Sequence, residues 1–364
     1  MSIIGAGNGG CATAVDLTLK GFDITVCSAY APNHVLPLMN KGGLEYPGSL
    51  GEGFVALRVT SDIKQAVEYA QLILIATPSP IHEAYARILA PLLTRKQIPI
   101  VFSGSGTGGA LHVYKILKEM GVSQPIIGET DILPYAARLV SQTHIKIFHK
   151  VKWRLFSCFP SRHSSNLYSD IKSVYSELEL ADNVLQTSLS NINAILHPPG
   201  MILNAGWIES TGGDFLFYSQ GVTPAIAQVI AEIDAERIEI LRKADLKSRG
   251  LAELLTRYGF SSVDSNSSIL ESIKSSSTIS EIRSPNTLSH RYLMEDVGYG
   301  LVPMSQIAKI FGVKTQNMDS LINLACILNK IDHWENGMTL GKLGLSGMHS
   351  ETINVYLEKG INAQ

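Results

Sequence analysis

The first ten residues constrain this chain more than any other stretch. Ser2-Ile3-Ile4 has the length and apolarity of a buried strand, and it leads straight into Gly5-Ala6-Gly7-Asn8-Gly9-Gly10. Glycines spaced G-x-G-x-x-G at a strand-to-helix turn act separately. Gly5 permits the tight turn, Gly7 lets the backbone approach an anion, and Gly10 lets helix and strand pack closely. The helix that follows spans Cys11–Lys20 and closes at Gly21, a residue suited to a left-handed helix end. Its unpaired amino-terminal N–H groups would face a pyrophosphate. Ile24–Cys27 supplies a second strand at the right distance. The glycine motif alone is weak, and a merely tight turn would also satisfy it. Its context of strand, helix and second strand predicts a dinucleotide site, with Gly5, Gly7, Asn8, Gly9 and Gly10 as cofactor contacts.

Further apolar runs, Leu72–Ala76 and Ile98–Phe102, alternate with helical segments at His82–Leu93 and Ala110–Met120. Strands alternating with helices predict a parallel, doubly wound sheet, and Ile145–Phe159 reads as two extra strands. After Ser164 helical periodicity takes over. Ala225–Ala244 is a long helix behind Thr223-Pro224, a cap and a first-turn proline; Val302–Phe311 and Asn317–Leu328 are further helices. The serine-rich stretch Ser261–Ser280 interrupts them, either as a solvated connection or as a mobile element over a ligand. A length of 364 residues calls for two domains. The expected fold is α/β: an N-terminal Rossmann domain over 1–182 and an all-helical domain over 183–364.

Composition removes several function classes. With 45% hydrophobic and 17% charged residues and a formal net charge of −2, the chain carries no basic surplus for nucleic acid. No apolar run reaches the ~18 residues of a membrane span. Met1 leads directly into the first strand, so no signal peptide is expected. Cys11, Cys27, Cys158 and Cys326 are scattered, without a C-x-x-C pair, which fits buried thiols in a cytoplasmic protein and no metal site. The expected partners are small molecules, and the sequence leaves room for a homodimer.

In NAD enzymes an acidic residue ends the second strand and holds the ribose 2′-hydroxyl. Here that position is Ser28. A missing carboxylate removes the repulsion that a 2′-phosphate would meet, which favours NADP(H) with NAD(H) as the other option. No arginine follows; His34 and Lys41 are the nearest basic groups. Thr77-Pro78 and Ser103–Gly109 follow strands, at the edge where such sheets bind ligands. They either line the nicotinamide or form ordinary turns.

The second informative stretch is His197-Pro198-Pro199-Gly200-Met201-Ile202-Leu203-Asn204-Ala205-Gly206. Two prolines fit the opening of a helix, which would put His197 at its amino terminus. Read alone, such a histidine is more often a cap than a catalyst. Arg291-Tyr292-Leu293-Met294-Glu295-Asp296-Val297 forms a second polar cluster. Together with Gly212–Gly221, Thr223-Pro224, Asp234-Ala235-Glu236-Arg237, the tail Thr339–Leu345, and Gly128-Glu129-Thr130 with Leu133-Pro134-Tyr135-Ala136, these segments resemble the octopine/nopaline (opine) dehydrogenase family over essentially the whole chain.

The resemblance implies reductive condensation of an amino acid with a 2-oxo acid, using NAD(P)H, to give an N-(1-carboxyalkyl) amino acid. It implies His197 as the catalytic histidine, Asp296 as its carboxylate partner, and Arg291 and Asn204 as substrate-binding residues. The chemistry suits these types: imidazole can donate and accept a proton near neutral pH, a carboxylate fixes its tautomer, and a guanidinium grips a carboxylate as a fork. Glu295 reads as solvent-facing or structural. Two rivals stand beside this reading. One is another Rossmann-plus-helical reductase, such as a glycerol-3-phosphate dehydrogenase or ketopantoate reductase; the other is a protein that binds NADP(H) without turnover.

Overall fold

The computed structural model describes residues 1–361. In chain order its strands are β1 (Ser2–Ile4), β2 (Thr25–Cys27), β3 (Gly43–Tyr46), β4 (Gly53–Ala56), β5 (Arg58–Thr60), β6 (Ile73–Ile75), β7 (Ile100–Phe102), β8 (Ile127–Thr130), β9 (Tyr135–Ser141), β10 (His144–Lys150), β11 (Arg154–Phe159) and β12 (Leu178–Leu180). The main sheet runs β12-β11-β8-β7-β6-β1-β2-β5. Its order reverses direction beside β1, the place where doubly wound sheets open a ligand crevice. Strands β1, β6, β7 and β8 are buried along their whole length, as strands covered by helices on both faces must be. The sheet is parallel except where β11 meets β8.

The two strands read over Ile145–Phe159 exist, yet they belong to different sheets: β11 extends the main sheet, and β10 joins a second one, ordered β4-β3-β10-β9. This small sheet lies against the first helix, α1 (Asn8–Leu19). Tyr135 Oη donates to Asp16 Oδ2 at 2.6 Å and Lys150 Nζ to the same carboxylate at 3.1 Å. Burial alone would raise the Asp16 carboxyl; the hydrogen bonds from Tyr135, Lys20 and Lys150 outweigh it and hold the group low. Nearer the glycine motif, Leu139 N–H donates to Asn8 Oδ1 at 2.8 Å. The small sheet thus stands directly over the start of α1.

The helices labelled next are α2 (His82–Leu93), α3 (Gly109–Glu119), α4 (Asn193–Leu203), α5 (Pro224–Lys243), α6 (Arg291–Asp296), α7 (Val302–Ile310) and α8 (Gln316–Asn329). Thr223 caps α5 with its side chain, and Pro224 opens it, as the sequence predicts. The serine-rich stretch contains a six-residue helix, Ile269–Lys274, closed by a capping box between Ser268 and Glu271. Strand β12 ends at Leu180 and the next helix begins at Val184. The chain nevertheless returns to the first sheet's side at its end. His112, on α3, is 2.9 Å from the Lys342 carbonyl through Nδ1, and Tyr356 packs on Phe159 with ring centroids 5.1 Å apart.

Candidate active site

The glycine loop has the geometry of an anion cradle. Gly5 has φ +116°, which strains any other residue, and a Cβ there would meet the Ala76 carbonyl oxygen at 2.6 Å. A Cβ on Gly10 would collide with the Gly5 carbonyl, so helix α1 can approach β1 only because that atom is missing. At Gly7 a Cβ would meet nothing within 4 Å, and this open side is where a phosphate has room. Helix α1 starts at Asn8 rather than Cys11. Its cap, Gly7, offers no side-chain hydrogen bond, and its first turn holds no acid. The amino-terminal N–H groups are therefore left for an anion. The Asn8 side-chain oxygen is held by β9, which leaves its NH2 group and its backbone N–H for a cofactor. Gly9 faces Leu133.

Ser28 follows β2 and is buried beside the hydroxyl of Tyr85. Tyr30 lies edge-on to Tyr85 at 5.0 Å and donates to the Ala84 carbonyl at 3.1 Å. Thr77 and Pro78 follow β6. Thr77 touches the Gly5 turn, and its Oγ1 is buried without a hydrogen-bond partner, an orphan that a ligand in the crevice would satisfy. Its carbonyl faces Nε2 of His82, a buried imidazole pushed down to about 4 by desolvation and hence neutral. These features fit a dinucleotide lying from α1 across the ends of β1 and β6. The loop after β7 is held to the helical side, since Thr107 N–H donates to the Tyr299 carbonyl at 2.8 Å.

Across the crevice stands α4. His197 lies in its second turn, with Pro198 and Pro199 inside the helix, not at an amino terminus as the two prolines imply. The helix starts four residues earlier and is buried from Ala194 to Ile202. Packing thus compensates for the two backbone donors that the prolines lack, an interior placement that ordinarily costs about 3 kcal/mol or more. His197 Nδ1 is 2.7 Å from Asp296 Oδ2, although 99 residues separate them in sequence. Asp296 ends α6, and the chain then widens into a π-helical turn, Val297–Leu301, a distortion common at functional sites. Gly300 in that turn abuts Ala194, where a Cβ would come within 2.6 Å of the alanine's own. The missing side chain lets α6 approach α4 closely enough for the carboxylate to reach the imidazole.

The other nitrogen, Nε2, is 2.8 Å from Tyr218 Oη. Burial, then Tyr292 and Asp296, push the Tyr218 phenol well above its usual value, so it stays a neutral hydroxyl. The Tyr292 ring stacks on His197 at 3.6 Å and 11°. A neighbouring imidazole, His290, is pushed down to about 4 by burial and by the nearby basic groups His197, Arg291 and Arg138. Arg138 comes from β9, is exposed, and also acts on Tyr218 and Tyr292. Arg291, half-exposed at the start of α6, borders the cleft with Asn191, Glu295, Asp296 and the 104–106 loop.

Arg291 and Asp296 therefore line one cleft with the 104–106 loop, and Asp296 ties the buried His197 to it. Asn204 does not join them. Its NH2 group donates to the carbonyls of Gly200 (2.8 Å) and Gly221 (3.1 Å), so it clamps the end of α4 to the next loop. Sequence reasoning assigns no role to Tyr218, Tyr292 or Arg138. Tyr218 lies inside the Gly212–Gly221 segment, and nothing local distinguishes it from a core aromatic. Glu295 is buried, not solvent-facing. Among the described residues there is no cluster of His, Cys, Asp and Glu able to hold a metal, and no helix long and apolar enough to cross a membrane. Cys11, Cys27 and Cys158 are buried free thiols.

Known proteins share this fold. Residues 180–329 match the model of the NAD/NADP octopine/nopaline dehydrogenase alpha-helical domain. An opine dehydrogenase of Arthrobacter sp. (strain 1C) is 34% identical over 98% of both chains. Among solved structures, octopine dehydrogenase in complex with NADH and agmatine superposes with a TM-score of 0.79 at 17% identity, covering 100% of this chain and 98% of that one. Yersinopine dehydrogenase with NADP+ bound does so with a TM-score of 0.70 at 14% identity, covering 98% and 97%.

Proposed function

The chain belongs to the opine dehydrogenase family, and on that premise we propose that His197, Asp296, Tyr218 and Arg291 carry its reaction and that NADP(H) is its preferred cofactor. The enzyme is an NAD(P)-dependent oxidoreductase of the reductive condensation class, joining an amino acid to a 2-oxo acid. The observation that carries the site assignment is the line Asp296–His197–Tyr218, with contacts of 2.7 and 2.8 Å. We place the cofactor domain at 1–182 and the substrate domain at 183–364, with the tail folding back onto the former.

Condensation moves two protons from the amine nitrogen to the carbonyl oxygen, which departs as water; after reduction of the imine the nitrogen regains one proton. The bound nicotinamide supplies the hydride. Everything else falls to side chains. Asp296 can only accept, so Nδ1 of His197 carries a hydrogen. Tyr218 cannot ionise, so its hydroxyl donates to the lone pair on Nε2. The two neighbours together fix one tautomer, with the basic lone pair at Nε2. That nitrogen takes the amine proton through Tyr218, whose hydroxyl passes its own hydrogen to Nε2 as its oxygen accepts the substrate's; the reverse transfer delivers the proton to the departing oxygen, while Asp296 stabilises the imidazolium in between. Arg291 grips the carboxylate of the 2-oxo acid. The product bears two carboxylates, and Arg138, on the opposite side of the cleft, supplies a second cation for the amino acid's own.

The test is NAD(P)H oxidation at 340 nm over a grid of amino acids with pyruvate or 2-oxoglutarate. Turnover that requires both substrates supports the reading. Reduction of a 2-oxo or 2-hydroxy acid with no amine requirement would replace it.

The cofactor preference rests on Ser28 at the end of β2, where a carboxylate would repel a 2′-phosphate. An acid at that edge of the sheet, Asp62, uses Oδ1 to cap the helix Ile63–Val67. Ser28→Asp is expected to shift the preference toward NAD(H) by roughly 1.5–3 kcal/mol, the scale of a charge-assisted hydrogen bond. Fluorescence titration of both reduced cofactors measures it. NADH binding tenfold tighter than NADPH in the wild type would overturn the assignment.

A further inference from the structure

Glu295 lies between two parts of the site that the chemistry must keep in register. Its Oε1 accepts hydrogen bonds from Ser79 N–H at 2.8 Å and Ser79 Oγ–H at 3.0 Å. Its Oε2 forms an ion pair with Arg291 Nη2 at 3.0 Å, one helical turn away. Ser79 belongs to the turn after β6, and its Oγ also accepts from Gly106 N–H at 3.0 Å, in the loop after β7. A single buried carboxylate therefore joins both cofactor-side loops to the guanidinium on α6. An acid so placed is costly unless both its oxygens are partnered. Here one oxygen has two neutral donors, and the other lies at ion-pair distance from Arg291 without a hydrogen bond, so burial still raises the carboxyl.

We infer that Glu295 is a positioning residue for the reaction, holding the Arg291 fork at a fixed height above the loops that carry the nicotinamide. The inference rests on the reading of Arg291 as the ligand of the 2-oxo acid carboxylate. The physical need is plain: Arg291 is half-exposed, and a free arginine surrenders much rotamer freedom when it grips a ligand. Pairing Nη2 with Glu295 restricts that freedom beforehand. The remaining N–H groups of the guanidinium are still available to a substrate oxygen. A contrary effect exists, because the charge of Glu295 also competes with the substrate for Arg291. The two effects have opposite signs in KM, so measurement separates them.

The experiment compares Glu295→Gln, Arg291→Gln and the double variant in the full-length enzyme, reading KM for the 2-oxo acid, kcat, and the dissociation constant of reduced cofactor. Glutamine keeps an oxygen for Ser79 and presents an NH2 group to Arg291. The Glu295→Gln variant should raise KM for the 2-oxo acid roughly tenfold, the worth of one charge-assisted contact, with cofactor affinity changed less than about threefold. The double variant should be no worse than Arg291→Gln alone, since Glu295 acts only through Arg291. Should Glu295→Gln not fold, Glu295→Asp carries the test, because a carboxylate one methylene shorter cannot reach Ser79 and Arg291 together; KM must again rise. An unchanged or lowered KM, or additive effects in the double variant, overturns the positioning role. If Arg291→Gln itself leaves KM unaltered, the earlier assignment of Arg291 falls. If Arg291→Gln raises KM and Glu295→Gln does not, only the present inference falls.

Discussion

Replacing His197 with alanine is expected to lower kcat by ~10²–10⁴, the worth of a well-placed acid–base group, and to leave the fold intact. The loss follows from position. His197 is the imidazole held by a carboxylate on one nitrogen and a hydroxyl on the other. His290 and His82, pushed down to about 4, are neutral at working pH and cannot substitute. The pH–rate profile should lose one limb, since a titrating group has gone. Helix α4 should survive, because it is buried on neighbours other than His197. The variant forfeits mainly the stacking on Tyr292, on the order of 0.5–1.5 kcal/mol for such a pair. Circular dichroism and a melting curve establish that the variant is folded. A folded variant with more than half of wild-type activity would remove His197 from the mechanism.

Asp296→Asn should have the next largest effect, again on turnover and not on cofactor binding. If the asparagine turns its NH2 toward Nδ1, the imidazole must move its hydrogen to Nε2, and the base that faces Tyr218 and the substrate is lost. If it turns its oxygen, the tautomer survives but nothing stabilises the imidazolium. Either way kcat should fall by ~10²–10⁴, the range set by the analogous carboxylate in hydrolase triads at its upper end. The dissociation constant of NAD(P)H should stay within about threefold, because Asp296 stands on the helical side of the cleft. Pre-steady-state measurement of hydride transfer locates the loss in chemistry. A cofactor affinity that collapses together with the rate would show Asp296 to be a support of the fold instead.

The parts of this molecule legible in its sequence are those where one physical requirement admits few residues. A backbone passing close to another backbone admits only glycine, so Gly5 and Gly10 announce the cradle. Continuous apolar runs admit few positions outside a covered sheet, so β6 and β7 can be read. The small sheet is mostly illegible because β4 is largely exposed and β3 is interrupted by glycine and glutamate, leaving no clean alternation. The start of α4 departs from expectation because prolines usually open helices, whereas here buried packing outweighs their cost. His197 and Asp296 stand out through the wording of two motifs; no local pattern can show that Nδ1 and Oδ2 meet. Tyr218 and Arg138 give no signal, since a tyrosine in a glycine-rich loop and an arginine on a strand have many ordinary explanations. The burial of Glu295 is hidden for a similar reason: its partner Ser79 lies 216 residues away.

The returning tail has a mechanical consequence. A chain that crosses once between two domains leaves them free to swing, twist and splay about a single joint. With the boundary proposed near residue 182, this one comes back near residue 340, where Lys342 and Tyr356 are tied to His112 and Phe159. Two joints define an axle. The second joint resists twist and splay, and rotation about the line between the two is the least hindered relative motion. The imidazole, carried on the far side, would travel along one arc and return to the same height above the glycine loop each time the cleft shuts.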